Sequence, residues 1–138
     1  MNGSAEAGLY LDTSIIILLI EGAPEVRAAI RDELRRLGVN SGPFVVSPLA
    51  KLECLVKPIR AGEVELERIY RRFFAGSEIR DVEISADVWE SATRIRAKYG
   101  FRVPDALHLA AATSAQCSMI LTRDERWGGF LEVPVQIL

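Results

Sequence analysis

Four acidic residues carry the chemistry open to this sequence: Asp12, Glu53, Asp105 and Asp124. Asp12 stands directly after Leu9-Tyr10-Leu11 and directly before an apolar run, a place where an unpaired carboxylate is costly. Its ordinary explanation is a helix cap, weakened because Thr13 or Ser14 can cap the same helix without a charge. Glu53 lies four residues after Leu49, on or beside an apolar stripe of Leu49, Leu52 and Val56. A boundary carboxylate paired with Lys57 is the alternative there. Asp105 follows Pro104 in the first turn of an alanine-rich helix, where the helix dipole alone favours an acid. Asp124 comes just after Met119 to Thr122, and by itself is an ordinary turn residue. None of the four is decisive singly. Together they place two acids after strands and two on helices flanking the same sheet edge. Four converging carboxylates repel strongly in a low-dielectric cleft, and a divalent cation resolves that repulsion. All-oxygen ligation favours Mg²⁺ or Mn²⁺. Such ions polarise a phosphate and activate bound water, which is the chemistry of phosphodiester hydrolysis.

The elements that must position these acids follow from the hydrophobic pattern. Leu9 to Leu11, Phe44 to Val46, Ile79 to Ile84, Met119 to Thr122 and Val135 to Ile137 read as short strands. Between them the pattern predicts helices: an apolar one through Ile15 to Ile20, then Glu25 to Leu37 closed by Gly38. Ser47-Pro48 starts another, which Pro58 is expected to end near Lys57. Glu63 to Phe74 follows, with Leu66, Ile69, Tyr70 and Phe73 on one face. Ser85 caps a helix carrying Val88, Trp89, Ala92, Ile95 and Tyr99 that stops at Gly100. Asp105 to Ala115 is the last. Strands alternating with helices predict an α/β sandwich around a parallel sheet, in which ligands sit beyond the carboxyl ends of the strands.

Composition narrows the function further. The 138 residues, 49% hydrophobic and 26% charged, suit one globular domain with a proper core and exclude intrinsic disorder. With 17 Lys+Arg against 19 Asp+Glu the net charge is −2, which argues against coating nucleic acid through bulk positive charge. Cys54 and Cys117 with the single histidine His108 cannot build a standard zinc site, and they read as buried thiols of a reducing compartment. Lys and Arg are absent before Arg27, so no secretory signal is legible, and Ile15 to Ile20 is far too short to span a bilayer. The expected address is the cytoplasm. Residues 1–8 are small and polar and are expected to be a flexible start or a cloning remnant, leaving 9–138 as a single domain.

Four segments, LYLDTSIIILLIEG, SPLAKLECL, VPDALHLAAA and LTRDERW, resemble in order and separation the four motifs of PIN domains. They resemble most the short bacterial PIN toxins of the VapC type, over essentially the whole chain after Gly8. The resemblance implies a PIN-like three-layer α/β sandwich with a central, mainly parallel sheet flanked by helices. It implies that Asp12, Glu53, Asp105 and Asp124 bind Mg²⁺ or Mn²⁺ and hydrolyse RNA. Asp12 and Asp105 would be central ligands, Glu53 would position or deprotonate water, and Asp124 would complete the site. It further implies a tRNA or rRNA target, a homodimer, and an antitoxin partner that holds the enzyme inactive. Thr122 matches a recurrent family hydroxyl, and Ser14 can act similarly, each towards a ligand carboxylate or a substrate phosphate.

Other residues are weighed beside these. Arg102 and Arg123 each lie within three residues of a proposed ligand and are expected to guide the RNA backbone. His108 is read as a packing residue or dimer contact, and Trp89 and Trp127 as core anchors. The helices Glu25 to Leu37 and Glu63 to Phe74 offer an apolar patch for the antitoxin or a second subunit. Three other readings compete. A phosphotransfer site of the haloacid-dehalogenase type needs an acid two residues after Asp12, where Ser14 stands. A non-catalytic PIN-like interaction module is opposed by the presence of all four acids. A PIN nuclease of RNA maturation or decay remains, and the short chain favours the toxin over it.

Overall fold

Leu9–Leu11 form the central strand, β1, of the computed structural model, which describes residues 7–38 and 43–138. The chain continues through α1 (Thr13–Glu21), α2 (Pro24–Arg36), β2 (Phe44–Val46), α3 (Pro48–Ala61), α4 (Val64–Phe74) and β3 (Ile79–Asp81). It then forms α5 (Ala86–Tyr99), α6 (Val103–Ser114), β4 (Met119–Thr122), a short 3₁₀ helix (Glu125–Gly129) and β5 (Val135–Ile137). The five strands make one parallel sheet in the order β3-β2-β1-β4-β5.

Strand alternation divides the core into two layers. Leu9, Leu11, Val46 and Leu121 face α1 to α4, where they meet Ile15, Ile16, Leu34 and Tyr70. Tyr10, Val45 and Ile120 face α5 and α6 and pack with Ile95, Leu109 and Trp127. Each fully buried Leu or Ile contributes about 1.5–3 kcal/mol relative to exposure. The result is the three-layer α/β sandwich that the sequence implies. No described helix is long and apolar enough to cross a membrane.

Several local expectations are corrected. Neither Thr13 nor Ser14 caps α1; Asp12 holds the cap position, and no side chain makes the capping bond. Both hydroxyls are instead turned towards carboxylates. Pro58 lies inside α3 and does not end it. The stop comes at Gly62, whose φ of +70° suits glycine, with Glu63 N–H donating to the Pro58 carbonyl. The buried face of α3 is Ala50, Cys54, Leu55 and Pro58, while Leu52 and Val56 point outward. β3 is shorter than expected, because after Val82 N–H bonds the Val46 carbonyl the chain leaves the sheet edge for the Ser85 cap of α5. Trp89 is 53% exposed and anchors nothing, whereas Trp127 is buried. Of the leading segment, residues 1–6 lie outside the described residues. Gly8 is packed: a Cβ there would stand 2.4 Å from Val45 Cγ2, and its carbonyl accepts from Ser118 N–H.

Candidate active site

The sheet reverses its winding between β1 and β4. From β1 the chain builds outward through β2 and β3, then crosses to the other side of β1 to lay down β4 and β5. A crevice opens at the carboxyl ends of such a pair. Asp12 ends β1 there, Thr122 ends β4, and Asp124 follows two residues on.

Asp12 is buried and held on one side. Its Oδ2 accepts from Ser14 Oγ at 2.9 Å and from Thr122 Oγ1 at 2.8 Å. Thr122 Oγ1 also accepts from the backbone N–H of Asp124 at 3.0 Å, so one hydroxyl ties the turn bearing Asp124 to the Asp12 carboxylate. Ser14 Oγ similarly accepts from Arg123 N–H at 3.3 Å.

Glu53 reaches the same crevice from α3. Its Oε1 accepts from Thr13 Oγ1 at 2.6 Å and lies 2.8 Å from His108 Nε2. The same Nε2 is 3.9 Å from Asp12 Oδ1. Burial would raise the Glu53 pKa, but the bonds from His108 and Thr13 outweigh it and hold the carboxyl below its ordinary value. His108 is therefore part of the site. At 2% exposure it cannot be a dimer contact, and sequence spacing could not show that α6 turns it to Glu53.

Asp105 and Asp124 make a second pair, around Arg126. The guanidinium donates to both Asp124 oxygens, at 3.0 and 2.6 Å, and stands 4.0 Å from Asp105 Oδ2. These bonds lower the Asp124 pKa. Asp105 is buried in the first turn of α6, yet among the described residues its side chain makes one hydrogen bond, a long one of 3.4 Å from Arg102 Nε. Arg126 thus approaches the carboxylates. The Arg123 side chain lies towards α2, lining a hollow with Glu25 and Glu33.

Among the described residues no three acidic, histidine or cysteine side chains stand close enough to hold one ion together. The donor set nevertheless fits a hard divalent cation. Every carboxylate is oxygen-only, Asp12 is oriented by two hydroxyls, and the buried Asp105 has acceptor capacity left over. Arg126 puts positive charge between Asp105 and Asp124, where a cation would serve both, and it is exposed enough to swing away.

Comparison with known proteins agrees with the fold. The family model of the PIN domain matches residues 9–134. Among curated proteins, none matches the chain by sequence. Among solved structures, a toxin–antitoxin complex from Klebsiella pneumoniae is similar, with 25% identity, a TM-score of 0.69, and coverage of 91% of this chain and 94% of that one. VapBC2 from Rickettsia felis, bound to a promoter DNA fragment, is 14% identical with a TM-score of 0.74, covering 94% and 97%. VapC20 from Mycobacterium tuberculosis, a toxin that cleaves the sarcin–ricin loop, is 19% identical with a TM-score of 0.67, covering 91% and 98%. The matched family model, spanning nearly the whole described chain with all four acids inside it, makes this protein a member of the PIN domain family.

Proposed function

We propose that the chain is a metal-dependent endoribonuclease that hydrolyses RNA phosphodiester bonds, and that it is the toxin of a toxin–antitoxin pair. The observation that carries this reading is the Asp12 carboxylate at the β1–β4 crossover, oriented by Ser14 and Thr122, with the Asp124 turn tied to it through Thr122 and Glu53 reaching towards it through His108. A Mg²⁺ or Mn²⁺ ion bound there would supply Lewis-acid charge and a more acidic bound water. Asp12 and Asp105 would be its central ligands, with Asp124 completing the set. Glu53 orients the attacking water or accepts its proton, since Oε1 is already held by two donors. Arg126 and Arg102, freed from the carboxylates, supply positive charge for the RNA backbone.

Partner surfaces are available. Between α2 and α4 lies a hollow of about 490 Å³, floored by Leu34, Ile69 and Phe73 and rimmed by Arg31, Arg35 and Arg72. Such a groove suits an amphipathic, acidic segment of an antitoxin. The outward stripe of Leu52, Val56 and Ile59 on α3 suits a homodimer contact. An RNA substrate is compatible with the cytoplasmic address expected from the sequence.

The test is cleavage of total RNA by the purified chain with Mg²⁺, with Mn²⁺ and with EDTA. The Asp12→Asn, Asp105→Asn double variant, checked for folding, runs beside it. Metal-dependent cuts that vanish in the variant are expected. Equal cutting by both proteins would reject the nuclease and leave a binding role.

A further inference from the structure

Glu53 is the acid that its own helix does least to fix. It projects from α3 on a long side chain that is about one-third exposed, and both its hydrogen bonds come from other elements. Thr13 of α1 supplies one and His108 of α6 the other, and both fall on Oε1. Oε2 makes no hydrogen bond with the described residues. Behind His108 the polar chain continues into the core. Nδ1 is 2.7 Å from the Tyr10 hydroxyl, which is 3.0 Å from Ser47 Oγ. Tyr10, Ser47 and His108 are all buried, and the imidazole is gripped by the rings of Tyr10 and Trp127, each with its centroid 5.8 Å away.

The Glu53 end of this buried chain has a definite direction. The Glu53 carboxylate only accepts, so Nε2 carries a hydrogen. If Tyr10 donates to Ser47, Nδ1 must also carry one and the ring is a cation. If the Tyr10 hydroxyl turns to Nδ1, the ring is neutral. In both arrangements Nε2–H faces Glu53. Burial keeps the Tyr10 hydroxyl protonated by raising its pKa far above the ordinary value.

We infer that His108 is the positioning residue for Glu53. Aimed by Tyr10 and Ser47, its Nε2–H holds Oε1 and leaves Oε2 directed to the crevice for water or metal. The inference rests on the ribonuclease reading for its catalytic consequence, but the contact itself can be tested without activity.

His108 is the only histidine of the chain, so protein labelled with ¹⁵N-histidine reports one imidazole. Glu53→Gln is expected to shift the Nε2 signal more than Nδ1, and Tyr10→Phe to do the reverse. On an RNA that the wild type cuts, His108→Leu should lower kcat by about 10- to 100-fold with little change in KM. His108→Gln, which keeps an N–H near the Nε2 position, should recover most of that loss. If His108→Leu does not fold, Tyr10→Phe takes its place and should lower kcat more than His108→Gln does. An Nε2 signal unmoved by Glu53→Gln overturns the proposal. So does wild-type kcat in His108→Leu, or in Tyr10→Phe where that variant stands in. A wild type that cuts no RNA with Mn²⁺ overturns the ribonuclease reading instead, while the ¹⁵N shifts still decide whether His108 holds Glu53.

Discussion

The two carboxylate pairs of the crevice are held in opposite ways. Asp12 and Glu53 are fixed by short bonds from the buried Thr122 and His108 and from the half-buried Ser14 and Thr13. Asp105 and Asp124 share Arg126, whose side chain is 59% exposed and whose charge is free to leave. The first pair is pre-organised, because the buried Thr122 hydroxyl and His108 imidazole cannot easily turn away. The second is exchangeable, because a surface guanidinium competes with water and salt. One half of the site therefore holds its shape without a cation or substrate, and the other half would change partner if one bound.

Breaking the fixed half should have the largest effects. Asp12→Asn is expected to reduce RNA cleavage to the level seen with EDTA while leaving the fold intact, as read by circular dichroism. Thr122→Val, which removes the hydroxyl joining Asp12 to the Asp124 turn, should weaken Mn²⁺ binding about 10- to 100-fold in calorimetry. Its folding stability should fall by about 2 kcal/mol, because the hydroxyl makes two hydrogen bonds at a usual net value of about 1 kcal/mol each.

Acid should reveal the same half in stability. The Glu53 carboxyl is held below its ordinary value of 4.5, so its contribution is complete above that pH and is lost as pH falls through the lowered folded value. Denaturant unfolding from pH 6 downward should show wild type losing stability below about pH 4.5 relative to Glu53→Gln. Parallel curves for the two proteins would mean that His108 and Thr13 do not stabilise the charged carboxylate.

The exchangeable half should respond least, and in the opposite direction. Arg126→Ala removes the guanidinium from between Asp105 and Asp124 and should strengthen Mn²⁺ binding severalfold at low salt, with an unchanged melting temperature. Weaker binding in that variant would mean that Arg126 organises these two acids instead of competing for them.

Much of this was legible in the residues, for stated reasons. Short apolar strands ending in Asp12 and Asp124 carry their period and their charge anomaly in one dimension, and the structure places both acids beside the β1–β4 crossover. Pro58 misled because a proline stops a helix only when packing allows it, and here the chain continues to a glycine better suited to the stop. Trp89 misled because an aromatic at helical spacing does not say which side of α5 the core lies on. The His108–Glu53 bond was hidden, since it depends on how α3 and α6 pack across 55 residues of chain. Arg126 was hidden for another reason: the 3₁₀ turn after Asp124 folds it back onto the carboxylates, while Arg123, nearer in sequence to Asp124, points to α2.

The central claim is that both carboxylate pairs serve one metal-dependent RNA-cutting site. Single-turnover cleavage of RNA across a Mn²⁺ titration, for wild type, Glu53→Gln and Asp105→Asn, tests it most directly. The expected result is saturable Mn²⁺-dependent cutting by wild type and strong loss in each variant, one drawn from each pair. Cutting that is independent of Mn²⁺, or that survives undiminished in either variant, would contradict a single shared site.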